Sequence, residues 1–172
     1  MANSKLKPTG KYINGHTVVS DGRYEGIRNH NNRIIIEPKY DCIECDGFNY
    51  ITKRNLKMGL RSINGKLLLP CKYDSINYLT DSFYSVKNNS KYKFYSVRHD
   101  KLSKHSYDDV IYSSIGKLGA RKGEKYFYFD DNGKCVFKGT LEQYMDYNRA
   151  ATAPKSRKPR TKASKSDGVS VN

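Results

Sequence analysis

A basic residue followed by a large apolar or aromatic residue recurs every 34 positions along this chain. The four dipeptides are Arg23-Tyr24, Lys57-Met58, Lys91-Tyr92 and Lys125-Tyr126. A second series, rich in Lys, Tyr and Asp, keeps nearly the same period. Its members are Pro38-Lys39-Tyr40-Asp41, Cys71-Lys72-Tyr73-Asp74 and Ser106-Tyr107-Asp108-Asp109. A fixed period in this range is typical of repeat architectures, in which each unit buries its apolar face against the next.

The second unit, residues 55–76, shows the local pattern most clearly. Residues 58–63 read as a strand, and Asn64-Gly65 predicts a two-residue hairpin turn because both residues accept positive φ. Leu67-Leu68-Leu69 predicts the returning strand, and residues 71–76 form a corner that leads to a third strand at 83–87. Each unit is therefore predicted to be an antiparallel meander.

The repeats together predict an all-β fold of antiparallel β-meander repeats of about 34 residues. They form either an open solenoid or a series bent toward a barrel or propeller. Thr140-Leu141-Glu142-Gln143 is a capping-box pattern and predicts a short C-terminal helix over 140–149 that covers the last sheet. Leu141, Tyr144 and Met145 are expected to share its packing face. We place an N-terminal arm and short hairpin at 1–22, with residues 1–11 irregular, and the repeat domain at 23–149.

The third region, residues 150–172, is a basic tail rich in Ala, Lys, Ser and Pro. Six of its residues from position 151 onward are basic and one is acidic, within a chain of net charge +15. The tail has too little apolar surface to offset its ordering entropy, so it is predicted to be disordered unless an acidic partner binds it. The predicted contact residues are Lys155, Arg157, Lys158, Arg160, Lys162 and Lys165.

The repeat resembles the WG repeat family, also called KWG. Lys57-Met58-Gly59-Leu60, Asn64-Gly65-Lys66, Leu69-Pro70 and Lys72-Tyr73-Asp74 follow its Lys-Trp-Gly-Leu, Gly-Lys, Ile-Pro and Lys-Tyr-Asp elements. Tyr or Met replaces the Trp, at Tyr24, Met58, Tyr92 and Tyr126. The resemblance spans about residues 23–137. It implies β-rich repeats that serve as binding or accessory modules, and it implies no catalytic residues.

Side chains that often carry chemistry show no catalytic arrangement in this sequence. The four cysteines, which have the ligand type of a zinc site, are Cys42, Cys45, Cys71 and Cys135. The Cys42-x-x-Cys45 spacing does not recur in the next unit, so we favour free thiols over zinc or a disulfide. The four histidines lack metal-ligand spacing, and Asp108-Asp109 and Asp130-Asp131 are explained by a corner and a turn. We therefore expect no enzyme activity, no cofactor and no small-molecule substrate.

Two kinds of position are candidates for a partner surface. The corner residues Tyr40, Tyr73 and Tyr107 have two interpretations, a stacking ladder for bases or sugars or structural rings beneath each corner. We favour the structural interpretation because they recur in every unit. The more variable positions are better candidates, and we predict Lys87, Lys91, Lys93 and Tyr95 as the repeat-surface contacts. The polar return segment at 101–106 is either an exposed edge or a surface that faces a partner.

These observations predict a non-enzymatic structural or scaffold protein that binds other protein subunits of a larger assembly. Abundant Lys, Asn, Ile and Tyr fit an AT-rich gene, as in low-GC bacteria and their phages, which suggests a bacteriophage virion component. The alternative is a nucleic-acid-binding module that uses the basic tail and the Tyr and Lys surface. The sequence shows no signal peptide and no membrane-spanning run, so we expect a cytoplasmic or virion location and no membrane partner.

Overall fold

The computed structural model describes residues 6–112 and 118–152. Across them, the chain forms four four-stranded antiparallel sheets followed by one helix. The first sheet contains β1 (Lys7–Ile13), β2 (His16–Ser20), β3 (Glu25–Arg28) and β4 (Ile34–Tyr40). The second contains β5 (Cys42–Cys45), β6 (Asn49–Arg54), β7 (Lys57–Ser62) and β8 (Leu67–Tyr73). The third contains β9 (Ser75–Thr80), β10 (Phe83–Asn88), β11 (Lys91–Ser96) and β12 (Lys101–Leu102). The fourth contains β13 (Asp109–Tyr112), β14 (Leu118–Lys122), β15 (Lys125–Phe129) and β16 (Cys135–Gly139), and helix α1 spans Leu141–Thr152.

Strands that are consecutive in sequence are neighbours in every sheet, so each sheet is a simple meander. The predicted all-β repeat fold with a short C-terminal helix is therefore confirmed. Within the described residues the strands stay in four separate sheets and do not join into one closed barrel.

The sequence repeat and the sheet are offset by two strands. The repeat that starts at Lys57 supplies β7 and β8 to the second sheet, then crosses the corner at Tyr73-Asp74 to supply β9 and β10 to the third. Each sheet therefore combines the end of one repeat with the start of the next. This offset links successive sheets through the chain itself as well as through packing.

Two glycines mark a bulge at the same place in the first two sheets. In each, a third strand pairs irregularly with the fourth, between Glu25 and Ile27 in one sheet and between Met58 and Leu60 in the other. A Cβ on Gly59 would lie 2.7 Å from the Leu69 carbonyl oxygen. The neighbouring backbone thus comes too close for any side chain, which explains the glycine of the repeat motif.

The same pairing corrects the sequence alignment of the first unit. Glu25 pairs with Tyr40 as Met58 pairs with Tyr73. Glu25, and not Tyr24, therefore occupies the position of the family Trp in the first unit. Tyr24 instead lies beneath the guanidinium group of Arg23, 4.9 Å from its ring centre.

Among the described residues, the core consists of three apolar clusters, one between each pair of successive sheets. Equivalent positions fill each cluster, as shown by Ile27, Leu60 and Phe94, which are 0%, 0% and 4% exposed. Burial of such side chains is the main favourable contribution to folding. Because every cluster draws on two sheets, no single sheet holds a complete core.

A buried tyrosine hydroxyl also bonds to the preceding sheet at the first two junctions. Tyr50 Oη lies 2.6 Å from His16 Nδ1, and Tyr84 Oη accepts a hydrogen bond from Asn49 Nδ2 at 2.9 Å. Burial raises the pKa of Tyr50 to about 12. These bonds let the large rings be buried without leaving the hydroxyl groups unsatisfied.

The two ends of the described chain differ from the sequence expectations. The sequence predicts that residues 1–11 are irregular, but β1 begins at Lys7 and pairs with β2. Helix α1 continues beyond the expected residue 149 to Thr152. The capping box is confirmed, since the Thr140 N–H donates to Gln143 Oε1 at 3.0 Å and the Gln143 N–H donates to Thr140 Oγ1 at 3.4 Å.

The packing face of α1 agrees with the predicted one at Tyr144 and differs from it at Leu141 and Met145. Tyr144 is buried and stacks on Tyr128 at 4.4 Å, and Tyr147 packs on Phe137 at 4.9 Å. Leu141 and Met145, which the sequence places on the packing face, are 52% and 47% exposed. The tyrosines of the helix therefore pack on the aromatic surface of the last sheet, and Leu141 and Met145 remain about half exposed to solvent.

Candidate functional site

The aspartates that follow the corner tyrosines close the hairpin turns of the sheets they enter. Each accepts a hydrogen bond from a backbone N–H in the turn after the second strand. The pairs are Asn55 to Asp41 at 2.7 Å, Asn89 to Asp74 at 2.8 Å and Gly123 to Asp108 at 2.7 Å. The repeated carboxylates are thus used to hold the turns.

Lysines at the starts of β7 and β11 strengthen two of these corners. Lys57 donates to Asp74, and Lys91 donates to Asp108. The Lys57 ammonium group and then the Asn89 N–H lower the pKa of Asp74, while the Gly123 N–H and then Lys91 lower the pKa of Asp108. Both carboxylates are therefore stabilised in their ionised form by structural partners.

The corner tyrosines are buried, as the structural interpretation expects. Tyr40, Tyr73 and Tyr107 are 4%, 6% and 6% exposed. Arg61 Nε donates to Tyr40 Oη at 2.7 Å, which ties the first corner to the second sheet. Rings buried to this extent leave no face for stacking with a base or sugar in this structure.

A groove of about 550 Å³ opens between the third and fourth sheets, and it is the candidate functional site. Its floor is aromatic and aliphatic. The floor residues are Phe83, Phe94, Tyr107, Leu118, Phe127 and Phe129. A volume of this size lies in the range of ordinary ligand-binding clefts. We call this cleft the third-junction groove.

The third-junction groove exists because a buried aliphatic residue of the repeat is missing there. Ile36 and Leu69 stand four residues before their corner tyrosines and are 1% and 4% exposed. Ser103 holds this position in the third unit, and its N–H donates to the Phe94 carbonyl at 2.7 Å. A hydroxymethyl group thus replaces a branched hydrocarbon chain, and the space is left open above Phe94.

The floor of the groove is apolar because the polar pair of the second junction has also been replaced. Asn49 and Tyr84 bond across the second junction, but Phe83 and Leu118 stand at the equivalent positions of the third. Both are 4% exposed and belong to one core cluster with Phe94. The third junction therefore lacks this hydrogen bond and presents a hydrocarbon surface.

The rim of the groove is basic. Lys101, Lys104 and Lys138 line it together with His99 and His105, and its described lining contains no Asp or Glu. None of the three lysines forms an ion pair with another described residue. The site thus combines an apolar floor with a positively charged rim, and Lys138 of that rim lies over the floor ring of Phe127, 5.9 Å from its centre.

Of the predicted surface residues at 87–95, Lys91 and Lys93 line one small cavity, whereas Tyr95 is buried. Lys87 lies over the Tyr92 ring at 5.3 Å, and Lys91 is engaged by its corner aspartate. Lys93 lines a smaller cavity of about 360 Å³ beside β10 and β11. Tyr95 is 1% exposed and donates to Asp100 at 2.5 Å, so the prediction of a surface residue there is wrong. Burial and the Asp100 carboxylate raise the pKa of Tyr95.

The predicted tail contacts fall outside the described residues. They are Lys155, Arg157, Lys158, Arg160, Lys162 and Lys165. Their role stays a prediction from charge.

The cysteines lie apart from the groove floor, and all four are free thiols. Cys42 and Cys45 lie on β5 and are partly buried, and burial raises the pKa of each. Within residues 6–112 and 118–152, no three His, Cys, Asp or Glu side chains are grouped so that they could hold a metal ion. Cys135 lines the groove but is exposed.

Sequence reasoning identified the polar return segment at 101–106 but missed the aromatic floor. The signal was present in the alignment of the units, where Ser103 stands opposite Ile36 and Leu69. Phe83 lies in β10 and Leu118 in β14. That these residues lie close to Ser103 can be predicted only when the offset between repeat and sheet is known.

This arrangement of corner-closed β-meanders, in which the repeated polar groups hold turns and corners, defines a β-repeat module. Residues 62–92 match the family model of the WG containing repeat. The matched stretch runs from the end of β7 to the start of β11 and includes the corner at Tyr73-Asp74. This stretch is therefore a WG repeat, as the sequence resemblance predicted for it. No curated protein matches the chain.

In the described part of the chain, no helix is long and apolar enough to cross a membrane.

Proposed function

We propose that this chain is a non-enzymatic scaffold protein that binds another protein subunit through the third-junction groove. The observation that carries the proposal is the loss of a buried aliphatic residue at Ser103, which opens an aromatic floor in an otherwise filled series of junctions. Corner carboxylates are held by turn N–H groups and lysines, which supports a structural role for them.

The assembly we propose is a large one, such as a bacteriophage virion, with the chain located in the cytoplasm or in that particle. The support is compositional, from the AT-rich type of sequence and the basic tail. In this proposal the repeat sheets supply the docking surface. The tail ties neighbouring subunits together through its lysines and arginines, which attract acidic protein surfaces.

Sedimentation of the chain from its native source tests this proposal. A tagged full-length chain should co-sediment with a high-molecular-weight particle, and the chain ended at residue 152 should be incorporated less. The same truncated chain should unfold at the same urea concentration as the full chain, because the truncation removes none of the described strands. Migration of the full-length chain as a free monomer in the native extract would refute the scaffold role.

The net charge of +15 favours nucleic-acid binding as a second candidate. A titration against single- and double-stranded nucleic acid at low and high salt separates the two candidates. Binding that weakens steeply with salt, and is lost on removal of residues 153–172, would support this alternative. The absence of binding at low salt would eliminate it.

A further inference from the structure

We infer that the third-junction groove binds an acidic peptide segment of the partner protein, with one large apolar side chain inserted between the third and fourth sheets. This inference rests on the proposed protein-binding function and adds the chemistry of the ligand. It follows from the shape of the floor, the charge of the rim and the strands that border the groove.

The floor fits an aromatic or large aliphatic anchor. Phe94 and Phe129 meet edge to face at 5.4 Å, and Tyr107 packs on both rings. An inserted ring would extend this cluster with the same offset geometry that aromatic pairs prefer. Since a branched aliphatic chain fills the equivalent space at the first two junctions, the groove accepts at least that much hydrocarbon from a partner.

The rim selects acidic residues on either side of the anchor. Lys101 and Lys104 stand on one wall and Lys138 on the other, so carboxylates that flank a central anchor would meet a lysine on each side. The basic tail of this chain is a poor occupant for the same reason, because its six basic residues would face like charges. Charge complementarity therefore points to a different, acidic chain.

Two sheet edges make a peptide a better occupant than a compact molecule. β12 is the outermost strand of the third sheet and β16 is the outermost strand of the fourth, and both contribute residues to the groove. Beyond the two residues of β12, Ser103 and Tyr107 still bond to β11 at Phe94 and Tyr92, so an added segment would join the outer side of β12. Edge strands offer backbone groups with which such an extended segment pairs.

Fluorescence anisotropy with three labelled nonapeptides tests the inference on the full-length chain. The first peptide carries a central phenylalanine flanked by glutamates, the second has alanine at the centre, and the third keeps phenylalanine but has lysines in place of glutamates. We expect the first peptide to bind at least tenfold more tightly than either of the others. Its affinity should fall as salt is raised, because the flanking contacts are exposed ion pairs.

Two substitutions at one position separate groove volume from the hydroxyl group. Ser103→Leu restores the side chain found at Leu69 and should weaken binding of the first peptide at least tenfold. Ser103→Ala leaves the groove open and removes only the hydroxyl, which accepts from the Phe94 N–H at 3.1 Å and donates to the His105 carbonyl at 2.8 Å. It should change binding less than threefold. Equal losses in both variants would overturn the inference.

The contribution of the rim is tested with Lys104→Glu against a matched change at Lys122, an exposed residue of β14 that does not line the groove. Lys104→Glu should weaken binding at least fivefold, and Lys122→Glu should change it less than twofold. Equal effects would show attraction to net charge alone, which would overturn the inference.

Failure of this inference is distinguishable from failure of the scaffold function. If none of the peptides binds but Ser103→Leu still prevents incorporation into the particle, the groove binds a partner of different chemistry and the inference is wrong. If the first peptide binds as expected but Ser103→Leu is incorporated normally, the inference holds and the scaffold role of the groove fails.

Discussion

The glycine of the repeat motif gives the most direct test of the fold, through Gly59→Ala. A Cβ at this position would lie 2.7 Å from the Leu69 carbonyl oxygen, 2.8 Å from the Cys71 backbone nitrogen and 2.9 Å from Cys71 Sγ. The two nearest atoms belong to the backbone of β8, so no side-chain rotation can relieve the contact. For the Leu69 oxygen to reach the 3.4 Å of ordinary contact, it must move by 0.7 Å.

Such a movement separates β7 from β8 at the bulge and weakens the backbone hydrogen bonds beside it. Overpacking of this kind costs about 1–3 kcal/mol, and one weakened hydrogen bond adds about 1 kcal/mol. We therefore expect Gly59→Ala to lower the free energy of unfolding by about 3 kcal/mol. With a urea m-value of about 2 kcal/mol/M, the unfolding midpoint should fall by about 1.5 M.

Urea unfolding followed by tyrosine fluorescence is a suitable assay, because the chain contains 15 Tyr and no Trp. Gly123→Ala is the matched control. Gly123 has φ +58°, and a Cβ placed on it would meet no atom within 4 Å, so the substitution should cost only about 1 kcal/mol. Adding Cys71→Ala to Gly59→Ala should not restore stability, because the backbone contacts remain. If Gly59→Ala proves as stable as Gly123→Ala, the close-approach explanation of the motif is wrong.

Three further predictions concern the turns, the corners and the helix. Leu56 has φ +63° and is 97% exposed, so Leu56→Gly should raise the free energy of unfolding by about 1 kcal/mol in urea titrations, and a loss of stability would contradict this. The lowered pKa values of Asp74 and Asp108 mean that their stabilising contribution is complete above the ordinary aspartate value of 3.8 and is lost as the pH falls through the lower folded-state values. The urea midpoint should therefore drop between about pH 5 and about pH 2, and the midpoint of the double variant Asp74→Asn with Asp108→Asn should drop less. Tyr144→Ala should destabilise the chain by about 3 kcal/mol because its ring is buried on the last sheet, whereas Met145→Ala, at an exposed position, should change stability by less than about 0.5 kcal/mol.

The sequence predicts the meander well because its strongest signals are local. The capping box at Thr140 depends on a few neighbouring residues and forms as expected. The hairpin between β7 and β8 also forms, but the prediction of a two-residue Asn64-Gly65 turn is wrong. The Gly65 N–H donates to the Ser62 carbonyl at 2.8 Å, so the turn is centred on residues 63–64, and of its residues Gly65 alone has positive φ, at +83°. The alignment of the first unit was wrong by one residue. The choice between Tyr24 and Glu25 depends on which of them pairs with Tyr40, and this pairing is set by contacts between β3 and β4. The prediction of the packing face of α1 was partly wrong for a related reason. The periodicity of the helix sequence does not indicate that the surface it packs on is aromatic.

The candidate site was only half predictable from the sequence. The polarity of residues 101–106 stands out within the series of units and marks a departure from the repeat. The floor of the groove depends on Phe83 and Leu118, which lie in strands that the sequence repeat assigns to different units. Phe83 and Leu118 come together because the sheets are offset by two strands from the sequence repeats. This offset cannot be read from the sequence of one unit.

The groove implies that the third junction is less stable than its aliphatic equivalents. A buried leucine contributes about 1.5–3 kcal/mol through the removal of its surface from water, and Ser103 contributes little of this. Ser103→Leu also removes the two hydrogen bonds of the Ser103 hydroxyl, as Ser103→Ala does. Relative to Ser103→Ala, Ser103→Leu should therefore raise the free energy of unfolding by about 1–2 kcal/mol while it removes peptide binding, which is the pattern expected where a binding site is kept at the expense of stability. Urea titration of the two variants measures the first effect and anisotropy the second. If Ser103→Leu proved less stable than Ser103→Ala, the cleft could not accept a leucine and the explanation of the groove would be wrong.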